Sequence, residues 1–190
     1  MTTLLLMRHG ETIDNARQLM QGQMQGELND VGISQAEQVR DELAGTHIDA
    51  FVSSDLKRAI DTALIVAAPH GLRVDTTPLL RERDWGDFTG RYIPELTDQP
   101  WPDNVEKLDH LLERARQFLT FIQEKYEGKK VLAVGHGIIN KAVQAVYYDC
   151  QMKEVARMTN AEIRQLDLEG HFLPKTSQET TKGKIFRFKR

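Results

Sequence analysis

Two histidines in this chain each follow a short apolar run and stand beside glycine. His9 comes directly after the run LLLMR at 4–8, and His136 lies between two glycines after the run KVLAV at 130–134. An imidazole attacks as a nucleophile only when one ring nitrogen is unprotonated. The other nitrogen then carries the proton and has to donate it in a hydrogen bond to a fixed acceptor. For His9 the nearest acceptor is the backbone carbonyl of Gly10. This setting predicts a rigidly held imidazole that can take a group onto nitrogen.

Three further side chains supply the charges that phosphoryl transfer needs. Arg8 directly precedes His9, Arg58 lies beyond the second apolar run, and Glu82 follows the third. Guanidinium groups neutralise phosphoryl oxygens through paired hydrogen bonds, and a carboxyl group can protonate the leaving oxygen. We therefore expect His9 to be the nucleophile, Glu82 the acid, and both arginines the anion anchors. His136 adds a third donor if it is protonated beside the phosphate.

Each of these residues also has an ordinary structural interpretation. A lone histidine at the end of a strand is more often structural, Arg58 alone would be a solvated helix residue, and Glu82 is one charge in the run RERD at 81–84. Two histidines in the same glycine-flanked setting favour catalysis. The other four lack that setting and are expected to be surface or local polar residues: His47, His70, His110 and His171.

Short strand patterns alternate with helical patterns along the chain, which predicts an α/β domain with a mostly parallel sheet. Strands are expected at 3–7, 50–53, 73–76, 130–134 and 162–168, the last as an edge strand because its apolar residues alternate. Helices are expected from a cap at Asn29 to about 45, from a cap at Ser54 to about 68, and over 104–126. Ligands of such sheets bind beyond the carboxyl ends of the strands, where the chemical residues fall.

Length and composition favour one domain of an ordinary globular protein. The chain has 190 residues, 40% of them apolar and 28% charged, with a net charge of −3 and a single cysteine. This balance gives no basic surplus for nucleic acid, and no stretch approaches the roughly 20 apolar residues that span a membrane. The lone cysteine excludes an internal disulfide, and the opening residues lack a secretory pattern, so we expect a cytoplasmic protein. Neither pattern nor composition predicts an oligomeric state.

These residues together resemble the histidine phosphatase, or phosphoglycerate-mutase-like, superfamily. RHGET at 8–12 with Asn15 resembles its nucleophile motif, and SSDLKRA at 53–59 resembles the segment that carries its second phosphate-binding arginine. LRE at 80–82 is similar to the stretch with the proton donor, and GHG at 135–137 to the second-histidine motif. The matches follow the order of the family from residue 4 to about 168.

The resemblance implies an α/β/α sandwich of three layers, a phosphohistidine intermediate, and no metal or other cofactor. It also implies that the substrate pocket is lined by Asn15, Gln21, Gly22 and Gly137. The domain should span 1–170 with a small lid at about 91–103, followed by a tail at 171–190 that is partly disordered or carries a short strand at 185–188. The loop after Gly22 departs from the family pattern, because Gln25 and Glu27 stand where many members have Asp and Pro.

The short lid favours hydrolysis of a small phosphorylated metabolite over mutase activity. A mutase must shield its phosphorylated intermediate from water while the substrate turns, and 91–103 offers little cover. A cofactor-dependent phosphoglycerate mutase, a protein phosphohistidine phosphatase and a phosphate-dependent binding module remain alternatives. Arg81, Arg83 and Arg91 either contact a second anionic group of the substrate or face solvent, balanced by nearby acidic residues.

Overall fold

The computed structural model describes residues 1–170. The expectations for the tail at 171–190, for His171 and for a strand at 185–188 lie outside the described residues. Within residues 1–170 no helix is long and apolar enough to cross a membrane.

A sheet of five strands forms the centre of the fold, in the spatial order β3-β2-β4-β1-β5. Its strands are β1 (Thr2–Arg8), β2 (Ala50–Ser54), β3 (Val74–Thr77), β4 (Lys130–Gly135) and β5 (Ile163–Leu168). The first four are mutually parallel, whereas β5 runs antiparallel to β1 at one edge. All five predicted strands are present, each within about one residue of its expected ends, and β5 is the predicted edge strand.

Helices cover both faces of the sheet, which confirms the predicted α/β/α sandwich. The helices are α1 (Ile13–Ala16), α2 (Asp30–Leu43), α3 (Lys57–Ala67), α4 (Leu108–Lys125) and α5 (Gly137–Tyr148). Alternate residues of a strand point to opposite faces. Leu4 and Leu6 pack against α4 and α5, while Leu5 and Met7 pack against α2 and α3.

Helix starts differ from the sequence predictions in two places. Asn29 caps α2 as predicted, with its side chain accepting a hydrogen bond from Gly32 N at 2.9 Å. Ser54 was expected to cap the next helix, but α3 begins at Lys57, and the Ser54 hydroxyl instead accepts from Leu56 N at 3.1 Å. The predicted start of α4 near 104 was also early, because residues 104–107 make turns and contacts with 84–87 before the helix begins at Leu108.

Helix α5 was not predicted, although it begins at the second histidine motif. Seven of its residues are buried, and two of these, Asn140 and Gln144, are polar. Its Ile, Val and Tyr residues are types that also favour strands, so local composition did not mark the segment as helical.

The loop at 10–30 and the segment at 91–103 are joined. Gly90 N donates to Met20 O at 2.6 Å, Met20 N donates to Arg91 O at 2.9 Å, and Ile93 N donates to Gln18 O at 2.8 Å. A small separate apolar cluster of Phe88, Leu96 and Val105 lies beneath this junction. The expected lid is therefore a short irregular segment tied to the loop that follows His9.

Candidate active site

The parallel pairing of β1 with β4 brings the two histidine motifs together. Arg8 lies opposite Gly135 in the sheet register, and His9 N donates to Gly135 O at 3.1 Å. The rings of His9 and His136 consequently meet edge to face with 5.0 Å between their centres. Both side chains are buried at the carboxyl edge of the sheet, as predicted.

The His9 ring is held in one tautomer by its neighbour. Nδ1 lies 2.6 Å from Gly10 O, and a carbonyl oxygen can only accept, so Nδ1 carries the proton and Nε2 is unprotonated. Burial lowers the pKa of His9 to about 3, with a further lowering from the charge of Arg58. The ring is therefore neutral at ordinary pH, with the hydrogen bond to Gly10 that the sequence predicted.

The His136 ring is neutral too, which the sequence analysis did not expect. Its Nδ1 accepts a hydrogen bond from Arg58 Nε at 3.2 Å, and its Nε2 lies 2.8 Å from the Ser54 hydroxyl. Burial first, and then the charge of Arg58, hold the pKa of His136 well below its usual value. A donor role for His136 was expected only beside a bound phosphate, and in the site described here the adjacent guanidinium carries the charge and occupies one ring nitrogen.

Arg58 lies in the first turn of α3 as predicted, but it also holds the loop at 20–27. The side chain is 1% exposed, and its guanidinium donates to Gly22 O at 2.7 Å and to Met24 O. Burial lowers the pKa of Arg58 to about 10, which leaves it charged at neutral pH. A bound phosphate has to share this guanidinium with the loop carbonyls, a constraint that the sequence did not indicate.

Arg8 offers a buried donor without a partner among residues 1–170. Its Nη1 donates to Met158 O at 2.7 Å, whereas its Nε is buried and finds no acceptor within that range. Burial and then the charge of Arg157 lower the pKa of Arg8. An unpaired buried donor on a charged group costs free energy, so this position favours an anion. A Cβ on Gly137 would lie 3.5 Å from Arg8 Nε, so the glycine leaves that guanidinium uncovered.

The side chain of Glu82 places its carboxylate against the first turn of α5, close to both histidine motifs. Its carboxylate accepts hydrogen bonds from Ile138 N and Ile139 N, each at 3.0 Å, and from Arg83 N at 2.8 Å. The free N–H groups of the first helical turn supply the first two of these donors. The Trp85 ring packs edge to face on Trp101, with ring centres 5.4 Å apart.

The loop residues expected to line the pocket lie next to the nucleophile motif. Asn15 Oδ1 accepts from Thr12 N at 3.1 Å, and Gln21 Oε1 accepts from the Thr12 hydroxyl at 2.9 Å. The carbonyl oxygen of Gly22 accepts a hydrogen bond from Arg58. Gly22 has a φ of 50°, which a glycine adopts without strain. The structure thus joins Asn15 and Gln21 to Thr12 of the nucleophile motif and Gly22 to Arg58.

Two polar residues near His9 were missed by the sequence analysis. Asn160 Nδ2 donates to His9 O at 3.1 Å and to Asn15 Oδ1 at 3.3 Å, and Asn140 Nδ2 donates to Met7 O at 3.0 Å. Asn160 stands in the turn before β5, which is its only sequence signal. Asn140 lies on the helix that was not predicted. Both hold the backbone at the end of β1.

The three arginines considered for a second anionic group already have partners. Arg81 pairs with Asp55 through two hydrogen bonds of 2.7 and 2.6 Å, and Arg91 Nη1 donates to Gln99 Oε1 at 2.9 Å. The guanidinium of Arg83 lies about 5 Å from the ring centres of two tryptophans. None of these partners is one of the acidic residues close in sequence that were expected to balance the arginines, and Asp55 lies 26 positions from Arg81.

A neutral histidine with one free ring nitrogen, buried guanidinium groups and a carboxylate share the carboxyl edge of a mostly parallel sheet. Such a site is the kind that phosphoryl-transfer enzymes build. Among residues 1–170, no group of three or more His, Cys, Asp or Glu side chains could hold a metal ion.

Comparisons with known proteins agree on one family. The profile of the histidine phosphatase superfamily (branch 1) matches residues 4–174. The chain is 38% identical over 151 residues to phosphoglycerate mutase-like protein 4 of Arabidopsis thaliana, covering 70% of this chain and 66% of that relative. It is 33% identical over 188 residues to a metal-independent phosphoserine phosphatase of the same plant, covering 88% and 76%.

Solved structures give the same result. A mycobacterial glucosyl-3-phosphoglycerate phosphatase, solved with VO3, superposes with a TM-score of 0.82 at 27% identity and covers 90% of this chain and 93% of its own. The chain belongs to the histidine phosphatase superfamily. Its relatives include both phosphatases and proteins named for mutase activity.

Proposed function

We propose that this protein is a phosphatase that hydrolyses a small phosphomonoester through a phosphohistidine on His9. The observation that carries the proposal is the ring of His9, with its Nδ1 proton fixed on Gly10 O at 2.6 Å and its Nε2 free. Burial and Arg58 lower its pKa to about 3, so the nucleophile needs no prior deprotonation at neutral pH.

The first step transfers the phosphoryl group to nitrogen. His9 Nε2 forms a bond to phosphorus while the bond to the ester oxygen breaks, and a protonated Glu82 gives its proton to that oxygen. Arg8 Nε and the shared guanidinium of Arg58 stabilise the charge on the phosphoryl oxygens. The phosphorylated ring keeps its Nδ1 proton on Gly10 O, so it becomes a cation and a good leaving group for the next step.

The second step returns the enzyme to its starting state. Water attacks phosphorus, its proton passes to the Glu82 carboxylate, and His9 leaves as a neutral ring. For this step Glu82 has to turn a carboxyl oxygen from the amides of Ile138 and Ile139 toward the phosphoryl group. These roles of His9, Glu82, Arg8, Arg58 and His136 follow from position and chemistry. His136 acts in this scheme as a neutral group that orients Arg58.

Hydrolysis is favoured over the mutase reaction by the cover above the site. The segment at 91–103 contains one short turn, Ile93–Leu96, and is tied to residues 18–20. Tyr92, Ile93 and Trp101 are exposed. So short a cover suits an enzyme in which water takes the phosphoryl group better than a mutase, which must protect its phosphohistidine from water. The mutase remains the second candidate because a relative with 38% identity carries that name.

The substrate is proposed to be a small phosphorylated metabolite, because the substrates for which its phosphatase relatives are named are small. A single cysteine suits a reducing compartment, and we propose the cytoplasm. No role for a cofactor enters the mechanism. A protein phosphohistidine substrate and phosphate binding without catalysis are alternatives that the following experiment separates.

The test compares wild type with His9→Ala on 4-nitrophenyl phosphate and on a panel of phosphorylated metabolites. We expect turnover and an acid-labile label from the wild type and neither from the variant, with His47→Ala as an exposed histidine control. Hydrolysis that persists in His9→Ala refutes the proposal. Phosphate binding without turnover by the wild type supports a binding module, and turnover of a phosphohistidine protein alone supports the protein phosphatase.

A second assay separates phosphatase from mutase. With 3-phosphoglycerate, a phosphatase releases inorganic phosphate, whereas a mutase forms 2-phosphoglycerate without net release. Both products are followed in the same reaction, and isomer without phosphate overturns the preference for hydrolysis.

A further inference from the structure

Arg114 is a buried arginine outside the histidine motifs, and its donors converge on the segment that carries Glu82. Its side chain is 11% exposed and lies on α4. A guanidinium has five N–H donors, and each has an acceptor here. Three hydrogen bonds reach backbone carbonyls, namely Leu79 O at 2.9 Å, Arg81 O at 2.6 Å and Glu82 O at 3.3 Å. Two more reach the Glu106 carboxylate at 3.0 and 2.9 Å.

Glu106 extends the same network to the next residues of that segment. Its carboxylate is 6% exposed and also accepts from Asp84 N at 3.1 Å, while Glu106 N donates to Asp84 O at 2.8 Å. Arg83 Nε donates to Glu106 O at 2.8 Å. The backbone from 79 to 84 is thus fixed to α4 and the residues before it on both sides of Glu82.

The Glu82 carboxyl group has a separate set of partners, the backbone amides at the start of α5 and Arg83 N. These contacts hold the side chain only while the carboxylate points at the helix. A carboxyl group that exchanges a proton with a substrate oxygen has to turn toward it, and it then loses part of this support. The contacts of Arg114 are to the backbone and persist through that movement.

We propose that Arg114 is a positioning residue for the proton transfer, acting through the backbone of Glu82, with Glu106 orienting its guanidinium. The inference rests on the proposed function, in which Glu82 is the acid and base. Arginine suits the role because its planar fork meets a carboxylate and three carbonyls at once, whereas lysine has three donors on one nitrogen.

The test uses two aryl esters of nearly the same shape, 4-nitrophenyl phosphate and phenyl phosphate. Departure of phenolate depends more on a proton from the acid than departure of nitrophenolate. Arg114→Lys should lower kcat/KM for phenyl phosphate about 10- to 100-fold more than for 4-nitrophenyl phosphate, since misplacing a catalytic group by about 1 Å costs of that order. Glu82→Gln should show the same selectivity.

Arg116→Lys is the matched control, because Arg116 lies on the same helix and pairs at the surface with Glu113 at 2.7 Å. It should leave both esters unaffected. Thermal unfolding reports whether each variant folds. If Arg114→Lys does not fold, Glu106→Gln takes its place, and it too should lower kcat/KM more for phenyl phosphate than for 4-nitrophenyl phosphate.

Equal losses on the two esters in a folded Arg114→Lys or Glu106→Gln protein overturn this inference and leave the proposed function intact, provided that Glu82→Gln is selective. Loss of selectivity in Glu82→Gln as well refutes the role of Glu82 instead. No turnover of either ester by the wild type refutes the proposed function.

Discussion

Arg58 donates a hydrogen bond from Nε to Nδ1 of His136 at 3.2 Å. Because a guanidinium can only donate, the ring nitrogen must accept, and the proton of His136 therefore sits on Nε2 beside the Ser54 hydroxyl at 2.8 Å. One contact thus decides the tautomer of the histidine and the orientation of the arginine. In this pair the charge is on Arg58, and His136 is a neutral group that orients it.

The neutral histidines make stability depend on pH. Burial lowers the pKa of His9 to about 3 and that of His136 well below its usual value. Below about pH 6.5 the unfolded chain therefore binds more protons than the native state. The free energy of unfolding should fall as the pH drops from 6 toward 4, by about 1.4 kcal/mol per pH unit for each histidine.

Urea unfolding of wild type and His136→Asn at several pH values between 7 and 4 measures this effect. The variant is expected to be less stable at pH 7. As the pH falls, its free energy of unfolding should decrease less steeply than that of the wild type, because one of the two buried histidines is absent. Parallel curves would contradict a neutral, buried His136.

Arg58→Lys should weaken both phosphate binding and the loop at 20–27. Lysine cannot reproduce the donors that Arg58 gives to His136 and to the carbonyls of Gly22 and Met24. Loss of one preorganised charge-stabilising group lowers turnover by about 10²- to 10³-fold. Steady-state kinetics and inhibition by inorganic phosphate measure the change, and limited proteolysis at 23–26 reports on the loop.

Arg40→Lys is the control for this substitution, because Arg40 bonds only its neighbour Asp41 at the surface of α2 among the described residues. It should behave as wild type. Unchanged phosphate affinity in Arg58→Lys would exclude Arg58 as an anion anchor.

Glu82→Gln should depend on the leaving group. Gln has no proton to donate as an acid, so phenyl phosphate should lose about 10²- to 10⁴-fold in kcat/KM, the usual contribution of general acid catalysis, and 4-nitrophenyl phosphate much less. The side-chain oxygen of Gln can still accept from Ile138 N or Ile139 N, so the fold should persist. Thermal unfolding checks the fold, and equal losses on the two esters would exclude Glu82 as the acid.

Gly32→Ala should destabilise the protein by about 1–3 kcal/mol through overpacking. A Cβ at Gly32 would overlap Glu11 O and lie 2.8 Å from Glu11 N, so the first turn of α2 packs directly on the backbone that follows His9. Urea unfolding measures the loss, and activity should fall with it if the turn is displaced.

Gly45→Ala supplies the control, since no atom of the described residues 1–170 lies within 4 Å of a Cβ there. Equal stability of the two variants would show that the contact between Gly32 and Glu11 is not tight in solution.

The sequence predicted the strands and the nucleophile setting because both depend on local signals. The runs at 4–8 and 130–134 are nearly continuous apolar segments, as strands covered on both faces require. The hydrogen bond from His9 to Gly10 joins adjacent residues, so it was predictable from spacing alone. Helix α5 was missed because its buried side includes the polar Asn140 and Gln144 and because its Ile, Val and Tyr residues also favour strands.

The protonation state of His136 could not be predicted because its partners come from distant segments. Arg58 lies 78 positions away and Ser54 lies 82. The same holds for Arg81, which pairs with Asp55, and for Arg114, which spans 33 positions to reach Arg81 O. Such contacts depend on how helices and loops pack, and no local pattern encodes them.

The sequence by itself determined the family and the α/β sheet, and the types and order of His9, Arg58, Glu82 and His136 are those of the phosphoryl-transfer site proposed here. The tertiary structure decided how those groups are charged and held. Burial and the nearby guanidinium groups make both histidines neutral, and the start of α5 takes the Glu82 carboxylate. Charge states depend on burial and on neighbours across the fold, and only the packed structure supplies both.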